Sequence, residues 1–270
     1  MAFFVDQLGR SIELVNTPTR IISLVPSQTE LLFDLGLEAE VMGITKFCIH
    51  PKHWHQTKTA IGGTKQLHID KIRQLKPHLI IANKEENVRE QVEELAKEFP
   101  VWISDVSNFE TALSMIDGIA QITKRQLQGK KILDQIKHNF SSLPTNNQKP
   151  RACYLIWKDP YMSVGGDTFI NEMLHYAGFQ NIFEHKNRYP QVTIEEIKSK
   201  NCKVLLLASE PYPFKQKNVE ELQTFLPGVE IILVDGEMFS WYGSRLLKAA
   251  SYFHQLQNQV LSLKHARGSE

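Results

Sequence analysis

Three histidines and a cysteine lie close together in the segment CIHPKHWH, at Cys48, His50, His53 and His55. Imidazole nitrogens and thiolate sulfur are ligands that zinc and other borderline metals prefer. The spacing therefore makes His50, His53 and His55 a candidate metal site. The alternative is that two of them are surface histidines beside Pro51, since no further group of His and carboxylate residues is adjacent in the sequence. A single imidazole could also reach the open axial position of a bound metal complex.

A second candidate site consists of aromatic residues that fall in predicted loops or, in the case of Trp157, at the end of a predicted strand. Aromatic side chains at loop edges are costly unless they cover something. A cleft with aromatic walls and scattered amide and carboxylate groups suits a large, flat, partly apolar ligand. The alternative is that these rings pack the loops against one another. They are Phe47, Trp54, Trp157, Tyr161, Tyr212, Phe214, Phe239, Trp241 and Tyr242.

Short catalytic motifs are absent from the sequence. It contains no GxxxxGK[ST] phosphate loop, no GxGxxG after the first long strand, no GxSxG elbow and no HExxH pair. The Gly-Gly pairs at 62–63 and 165–166 would let a backbone approach a ligand, although most such pairs are turns. These absences favour a binding protein over an enzyme, and they predict no intrinsic cofactor.

The composition excludes several classes of protein. With 270 residues, 42% of them hydrophobic and 23% charged, the chain is that of a globular protein. A net charge of +1 with dispersed basic residues gives no surface that would follow nucleic-acid phosphates. Three widely spaced cysteines form no disulfide framework. We expect a monomer that binds no nucleic acid.

The N-terminal residues do not form a secretion signal. The segment MAFFVDQLGRSIEL carries acids and an arginine, where a signal peptide keeps an apolar run of about 7–15 residues. No apolar segment reaches the roughly 18 residues that a membrane-spanning helix needs. As written, the sequence predicts a cytoplasmic protein, or one from which a signal peptide has been trimmed.

Apolar runs of strand length alternate with helical segments along the chain, which is typical of parallel sheets covered by helices. Ser27 and Glu30 have the spacing of a capping box, and Asp167 is the predicted N-cap of a later helix that ends at Gly178. Residues 47–65 are predicted to be irregular. The predicted strands are 3–5, 11–15, 20–25, 41–45, 78–82, 101–104, 152–157, 204–208 and 230–234. The other predicted helices are 28–35, 70–75, 88–99, 109–122, 194–200, 219–225 and 245–263.

Residues 124–143 predict one long amphipathic helix near the middle of the chain, followed by a Pro-bounded turn at 144–150. We interpret this helix as a strut between two lobes, although an ordinary core-facing helix would show the same pattern. The predicted fold is α/β, with two Rossmann-like lobes of parallel sheet, residues 1–123 and 144–270, joined by the helix 124–143. The apolar stripe consists of Leu127, Ile132, Leu133, Ile136 and Phe140.

The two halves contain similar segments. IDKIRQLKPHLIIA at 69–82 aligns without gaps to IEEIKSKNCKVLLL at 194–207, which pairs Asp70 with Glu195. Convergence is one explanation, because any helix–strand unit tends to have an acid at the helix start and an apolar strand. The other is that the two lobes share a design, each with an acid in the first turn of the same helix.

Several segments together resemble the substrate-binding proteins of ABC importers for cobalamin and ferric chelates, and the vitamin B12-binding members most of all. The similarity is collinear over about residues 18 to 260. It implies two αβ lobes joined by one rigid helix, as in the class III periplasmic binding proteins, with the ligand between the lobes. The segments are RIISLVPSQTELLFDLG, IGGT, IDKIRQLKPHLIIA, VGGDTFINEMLHYAGFQNIF followed by YPQVTIEEI, and WYGSRLLKA.

The resemblance also implies roles for individual residues. Acids at the start of the matching helix in each lobe of the family dock onto arginines of the membrane permease, and here they fall on Asp70 and Glu195. Either acid would equally suit a helix start, where the dipole favours a carboxylate. The positions that contact the corrin fall near Phe47, Tyr161, Tyr189, Glu237 and Trp241.

The loop residues and the family positions combine into one predicted ligand-binding set. Two features depart from the cobalamin branch: Asn83 stands where that branch has Trp, and residues 47–65 carry the histidines. Both make the expected pocket more polar, which leaves other corrinoids and iron chelates open. The set is Phe47, Lys65, Asn83, Trp157, Tyr161, Tyr189, Glu210, Tyr212, Glu237, Trp241 and Tyr242.

We therefore expect a binding protein that captures a corrinoid, cobalamin in first place, between its lobes and delivers it to a permease. The first alternative is a receptor for a ferric siderophore, haem or a bare metal ion held by the three histidines. The second is a cytoplasmic protein or enzyme that handles a corrinoid or metal on the same scaffold. The missing export signal is the largest departure from the family, whose members work in the periplasm or at the cell surface.

Overall fold

The computed structural model describes residues 1–144 and 149–267. The chain divides into two compact units, of which unit 1 contains Met1–Ile136 and Trp241–Arg245, and unit 2 contains Lys137–Ser240 and Leu246–Glu270. The segment Trp241–Arg245 thus belongs to unit 1, although it lies in the sequence range predicted for the second lobe. Residues 145–148 of the predicted 144–150 turn lie outside the described residues.

Unit 1 contains a five-stranded parallel sheet with the strand order β5-β4-β3-β6-β7. The central strands β3 and β6 are buried along their length and are apolar up to their last residues, Ser23 and Asn83, as expected when helices cover both sides of a parallel sheet. Strand β5 was not predicted, because two exposed residues carry no apolar pattern. The strands are β3 (Ile21–Ser23), β4 (Val41–Ile44), β5 (Thr59–Ala60), β6 (Leu79–Asn83) and β7 (Val101–Ser104).

The predicted N-terminal hairpin is present as β1 (Ala2–Val5) and β2 (Ser11–Leu14), which pair antiparallel. Its turn lies against the edge strand β7. The Gln7 amide donates to the Ile103 carbonyl at 3.2 Å, and the Ile103 amide donates to Oδ2 of Asp6 at 3.2 Å. These bonds use edge groups of β7 that would otherwise be open to another strand.

The helices of unit 1 agree with the predicted ones except in one cap and one loop. The predicted capping box of Ser27 and Glu30 is wrong, because Val25 is the N-cap, Pro26 begins the helix and Glu30 instead pairs with Arg245. The segment 47–65 is not irregular throughout, since a six-residue helix begins at Lys52. The helices are α1 (Pro26–Asp34), α2 (Lys52–Thr57), α3 (Ile69–Leu75), α4 (Arg89–Ala96) and α5 (Phe109–Ile122).

Helix α6 (Gln126–Ser141) is the predicted central helix, and the boundary between the units falls within it. It begins after Lys124, whose positive φ of 58° separates it from α5. The buried stripe differs from the predicted one at Leu127, which is 66% exposed. Gly129 takes its place, because a Cβ there would lie 2.4 Å from the Cβ of Ala120 on α5. The helix therefore needs glycine at this crossing.

Unit 2 contains a four-stranded parallel sheet with the order β11-β10-β8-β9. Its strands are β8 (Arg151–Leu155), β9 (Gln180–Asn181), β10 (Val204–Ala208) and β11 (Glu230–Val234). Its helices are α7 (Phe169–Tyr176), α8 (Ile194–Ser199), α9 (Gln216–Phe225), α10 (Glu237–Ser240) and α11 (Leu246–Arg267). The short elements β9 and α10 were not predicted.

The predicted N-cap Asp167 of helix α7 is wrong by one residue. Oγ1 of Thr168 accepts the hydrogen bond from the amide of Asn171 at 3.2 Å, as an N-cap side chain does. Oδ1 of Asp167 instead accepts from the Arg188 amide at 2.5 Å. Two oxygen-bearing residues in a row are both suitable caps, and the contact with residue 188 decides between them.

The repeated segment is confirmed at the level of structure. Helices α3 and α8 begin at the aligned residues Ile69 and Ile194, and strands β6 and β10 begin at the aligned Leu79 and Val204. Ile72 and Ile197, which also align, are both fully buried. The two units share this helix–strand design in the same register.

Candidate functional site

The loop after β4 in unit 1 alternates exposed and buried side chains. Phe47 is 51% exposed and Ile49 is 45% exposed, whereas Cys48 between them is fully buried. The hydroxyls of Thr29 and Thr45 lie 3.1 and 3.2 Å from Sγ of Cys48. The buried thiol anchors the loop, so that its two large apolar neighbours face solvent at the carboxyl edge of the sheet. Ile49 was not among the predicted site residues, although its spacing of two from Phe47 was visible.

The segment Trp241–Arg245 packs into the same unit. The Trp241 ring is buried, with the His50 ring edge-on at 5.5 Å and the Arg245 guanidinium 5.0 Å from its centre. The buried hydroxyl of Tyr242 donates to Oε1 of Glu86 at 2.6 Å, and burial raises the pKa of Tyr242 well above its usual range. Trp241 and Tyr242, which were predicted to line a ligand cleft, are therefore buried within this unit.

The candidate metal site of His50, His53 and His55 is not formed. Within residues 1–144 and 149–262, no group of three or more His, Cys, Asp and Glu side chains is arranged to hold a metal ion. Nε2 of His53 lies 3.0 Å from Oε1 of Glu38, and His55 is exposed on α2. Successive residues of a helix point about 100° apart, so α2, which the sequence did not reveal, turns His53 and His55 to different sides, and His50 lies before this helix.

Three of the predicted loop aromatics are core residues. Trp54 is fully buried on α2, edge-on to Phe33 at 5.5 Å. Phe239 is fully buried and packs on Tyr154 and Phe253 at ring distances of 5.1 and 4.9 Å. Phe214 is buried in the hydrophobic core of unit 2. These three rings pack inside their units and offer no surface to a ligand.

The side chains of Asn83 and Lys65 make hydrogen bonds to the loop after β6. The Asn83 side chain is buried, donates to Oγ of Ser104 at 3.0 Å and accepts from the amides of Glu85 and Glu86 at 2.8 and 3.0 Å. Nζ of Lys65 donates to the carbonyl of Glu85 at 2.6 Å. The Asn83 side chain thus stabilises the turn after β6, and its hydrogen bonds are made within the protein.

Unit 2 has an aromatic cluster at the carboxyl edge of its own sheet. Trp157 is 41% exposed and lies edge-on to Tyr212 at 5.7 Å, and Tyr212 in turn packs on Phe214 at 4.7 Å. Tyr161 is half-buried beside the same core, and this burial raises the pKa of Tyr161. The core under Tyr212 supports Trp157, whose ring remains open to solvent.

The remaining predicted residues lie on the polar loops of unit 2. Glu210 accepts from Oγ of Ser240 at 2.7 Å. The Glu237 amide donates to Oδ1 of Asp235 at 3.1 Å and begins α10. Tyr189 is half-buried, with the guanidinium of Arg188 5.5 Å from its ring centre. These residues supply carboxylate oxygens and a phenol at the edge of this unit.

The two aligned acids are in the first turns of their helices. The Asp70 side chain is 91% exposed, with Oδ1 3.2 Å from Nη1 of Arg73. Arg73 is also held by Glu94 and Glu98 at 2.8 and 2.7 Å. Glu195 is exposed in the first turn of α8, which a capping box of Thr193 and Glu196 begins. Each unit thus presents an accessible carboxylate at the same position of its repeated segment.

A family model described as periplasmic binding protein matches residues 21–228 of the chain. The chain is 25% identical over 252 residues to the vitamin B12-binding protein of Yersinia pestis (strain Pestoides F). The aligned region covers 90% of this chain and 87% of the relative. Among the helices of the described residues, none combines the length and the hydropathy that crossing a membrane requires.

Solved structures show the same fold. One is a possible iron-binding (periplasmic solute-binding) protein from Staphylococcus epidermidis ATCC 12228, with a TM-score of 0.76 and 24% identity, covering 91% of this chain and 99% of that one. Another is a periplasmic haem-binding protein of Vibrio cholerae, with a TM-score of 0.77 and 18% identity, covering 90% and 98%. At these identities the likeness concerns the fold, and the ligands named differ between the two proteins.

Proposed function

Because the chain belongs to the periplasmic binding protein family, we propose that it captures a corrinoid, with cobalamin as the first choice, and delivers it to the permease of an ABC importer. The observation that carries this proposal is a large exposed ring at the carboxyl edge of each sheet, Phe47 in unit 1 and Trp157 in unit 2. Ligands of open parallel sheets bind at this edge. The similarity to a vitamin B12-binding protein supports the choice of ligand.

The binding energy would come from covering these rings with the flat macrocycle. Aromatic side chains bury about 150–250 Å² when fully covered, and each of these two rings is already half-buried. At about 25 cal/mol per Å², covering the remainder contributes on the order of 2 kcal/mol per ring. The amide side chains of the corrin would donate hydrogen bonds to the carboxylates of Glu210 and Glu237. The phenol of Tyr189 could donate to them or accept from them.

Equilibrium titration with cobalamin, cobinamide, haemin and ferrichrome tests the proposal. We expect saturable binding of a corrinoid, weakened by Phe47→Ala and by Trp157→Ala. Phe3→Ala is the matched control, because Phe3 is an exposed phenylalanine on the N-terminal hairpin. Absence of corrinoid binding at high micromolar concentration would reject the ligand class.

Haem is the second candidate, and His50 favours it. His50 is in the same loop as the exposed Phe47, and its ring lies edge-on to that of Trp241. Haem iron accepts a histidine imidazole as an axial ligand. The position of His50 in the loop of an exposed ring suits this role. The visible spectrum of bound haemin should change with His50→Ala and remain the same with His55→Ala.

Delivery would depend on Asp70 and Glu195. The repeated register gives both units an exposed acid in the first turn of the same helix, and a permease surface with two arginine sites would pair with them. The double variant Asp70→Ala with Glu195→Ala should retain ligand affinity and lose uptake by reconstituted transporter vesicles. Glu110→Ala with Glu220→Ala is the control, since both are exposed acids on other helices. Normal uptake by the first double variant would reject the docking role.

A further inference from the structure

Unit 1 contains a cavity that the proposed corrinoid site does not use. It has a volume of about 350 Å³ and lies among the hairpin turn, the end of β6, helix α4 and strand β7. Small-molecule sites have volumes of about 300–1,000 Å³, so this cavity is large enough for a compact organic molecule. Asn83, whose side chain holds the turn after β6, is the one residue of the predicted ligand-binding set among the described residues that line it, whereas Phe47, Trp241 and Tyr242 do not line it.

The cavity wall is apolar over most of its area. Leu8 from the hairpin turn, Val92 from α4 and Ile103 from β7 contribute apolar atoms to it. Val92 and Ile103 are buried, whereas Leu8 is 41% exposed at the surface. Leu8 therefore offers exposed apolar surface beside the two buried side chains of the wall.

Cationic side chains predominate among the charged residues of the wall. Arg10, Lys84 and Arg89 line the cavity, and Glu93 is the one acid among the described lining residues. Arg10 is held by Asp6 at 2.7 Å and Lys84 by Asp105 at 2.6 Å. Within the described chain, neither of these two acids is part of the wall. Of the four charged side chains that line the cavity in the described part of the chain, three are therefore positive and one is negative.

Two of these cations, Arg89 and Lys84, retain hydrogen-bond donors. Arg89 bonds to Oε1 of Glu93 through Nε at 2.6 Å, which leaves the four N–H bonds of its terminal nitrogens. Lys84 uses one of its three ammonium protons on Asp105. An anion can therefore be bound without breaking the existing ion pairs.

We propose that this cavity is a second ligand site, which binds a small organic anion with an apolar body, such as an aromatic sulfonate or carboxylate. The apolar body would cover Leu8 and contact Val92 and Ile103, and the anionic group would accept hydrogen bonds from Arg89 and Lys84. This proposal does not depend on the proposed capture of a corrinoid, since neither Phe47 nor Trp157 lines the cavity.

Fluorescence titration with 1-anilinonaphthalene-8-sulfonate tests the site in the intact protein, with the uncharged 1-anilinonaphthalene as the comparison. We expect one-to-one binding of the sulfonate, and about tenfold weaker binding of the uncharged compound. Arg89→Gln with Lys84→Gln should remove most of this difference. Lys130→Gln is the matched control, because Lys130 is an exposed cation in an ion pair of the same i,i+4 spacing, with Asp134.

A second variant blocks the cavity without touching the charges. Leu8→Trp should fill the hollow and abolish saturable binding of the sulfonate, whereas Leu127→Trp, at an exposed leucine on α6, should leave the affinity unchanged. Three results would overturn the proposal: no saturable binding, equal affinity in wild type and Leu8→Trp, or displacement of the sulfonate by cobalamin. The last would show that the probe occupies the corrinoid site.

Discussion

Nε of Arg245 donates a hydrogen bond to Oε2 of Glu30 at 2.9 Å, although 215 residues separate the two in the sequence. Both side chains are buried, with exposed fractions of 7% and 8%. The pair ties the segment Trp241–Arg245 to helix α1 within unit 1. Unit 1 is therefore completed by five residues from the far end of the chain.

We expect Arg245→Met to lower the free energy of unfolding by about 3–5 kcal/mol, because it leaves the Glu30 carboxylate buried without its cation. Urea unfolding followed by far-UV circular dichroism measures the loss. Glu30→Met with Arg245→Met should be less destabilised than the sum of the single variants. Lys130→Met, at an exposed ion pair, should change stability by no more than about 0.5 kcal/mol. A similarly small effect of Arg245→Met would contradict the prediction.

Gly129→Ala should destabilise the protein even though alanine favours helices by about 1 kcal/mol over glycine. The added Cβ would lie 2.4 Å from the Cβ of Ala120, and overpacking of this kind costs about 1–3 kcal/mol. Thermal unfolding of the single variant, of Ala120→Gly and of the double variant tests the contact. The double variant should recover stability relative to Gly129→Ala. If Gly129→Ala melts above the wild type, the close approach of α5 and α6 does not limit this position.

Cys48 should resist alkylation in the folded protein. Burial raises the pKa of Cys48 to about 11, against the smaller opposite effect of hydrogen bonds from Thr29 and Thr45. At pH 8 about one thiol in a thousand would then be a thiolate, which is the form that reacts with iodoacetamide. Mass spectrometry after a timed reaction should find Cys48 unmodified, while an introduced Lys130→Cys reacts within minutes. Labelling of Cys48 at the rate of that control would disprove the assignment.

His175 should make the protein less stable in mildly acidic solution. Burial, aided by Lys149, lowers the pKa of His175, and Glu184 opposes this to a smaller extent. Below the ordinary histidine pKa of about 6.5, the unfolded chain therefore binds a proton more readily than the folded one, so stability falls as the pH falls. His175→Gln should reduce the loss in urea stability between pH 7 and pH 5, and His55→Gln, at an exposed histidine, should not. An unchanged pH slope in His175→Gln would refute the prediction.

Most of the fold could be predicted from the sequence, because local patterns specify it. Strands β7, β10 and β11 and helix α5 have the predicted bounds, since each is a continuous apolar run or a clear helical stripe between breaking residues. The repeated segment was predictable for the same reason. Helix α2 was missed, because its six residues are polar apart from Trp54. A helix so short depends on a tertiary contact, here the packing of Trp54 against Phe33.

The candidate site was predicted only in part. The sequence predicts Phe47, Trp54 and Phe239 in loops and Trp157 at the end of a strand, and it gives no reason to separate them. Only the packing shows that Trp54 and Phe239 are core residues while Phe47 and Trp157 face solvent. The histidines illustrate the same limit, because their closeness in sequence did not bring their side chains to one point.

The sequence by itself determined the order of strands and helices, the parallel αβ architecture and the matched positions of Asp70 and Glu195, since these follow from hydrophobic periodicity over neighbouring residues. Only the tertiary structure decided which rings are exposed, that the contact of α5 with α6 requires Gly129, and that Arg245 pairs with Glu30. The physical reason is that burial, steric contact and the pairing of charges depend on atoms that are close in space, whereas the sequence pattern reports only on residues that are close along the chain.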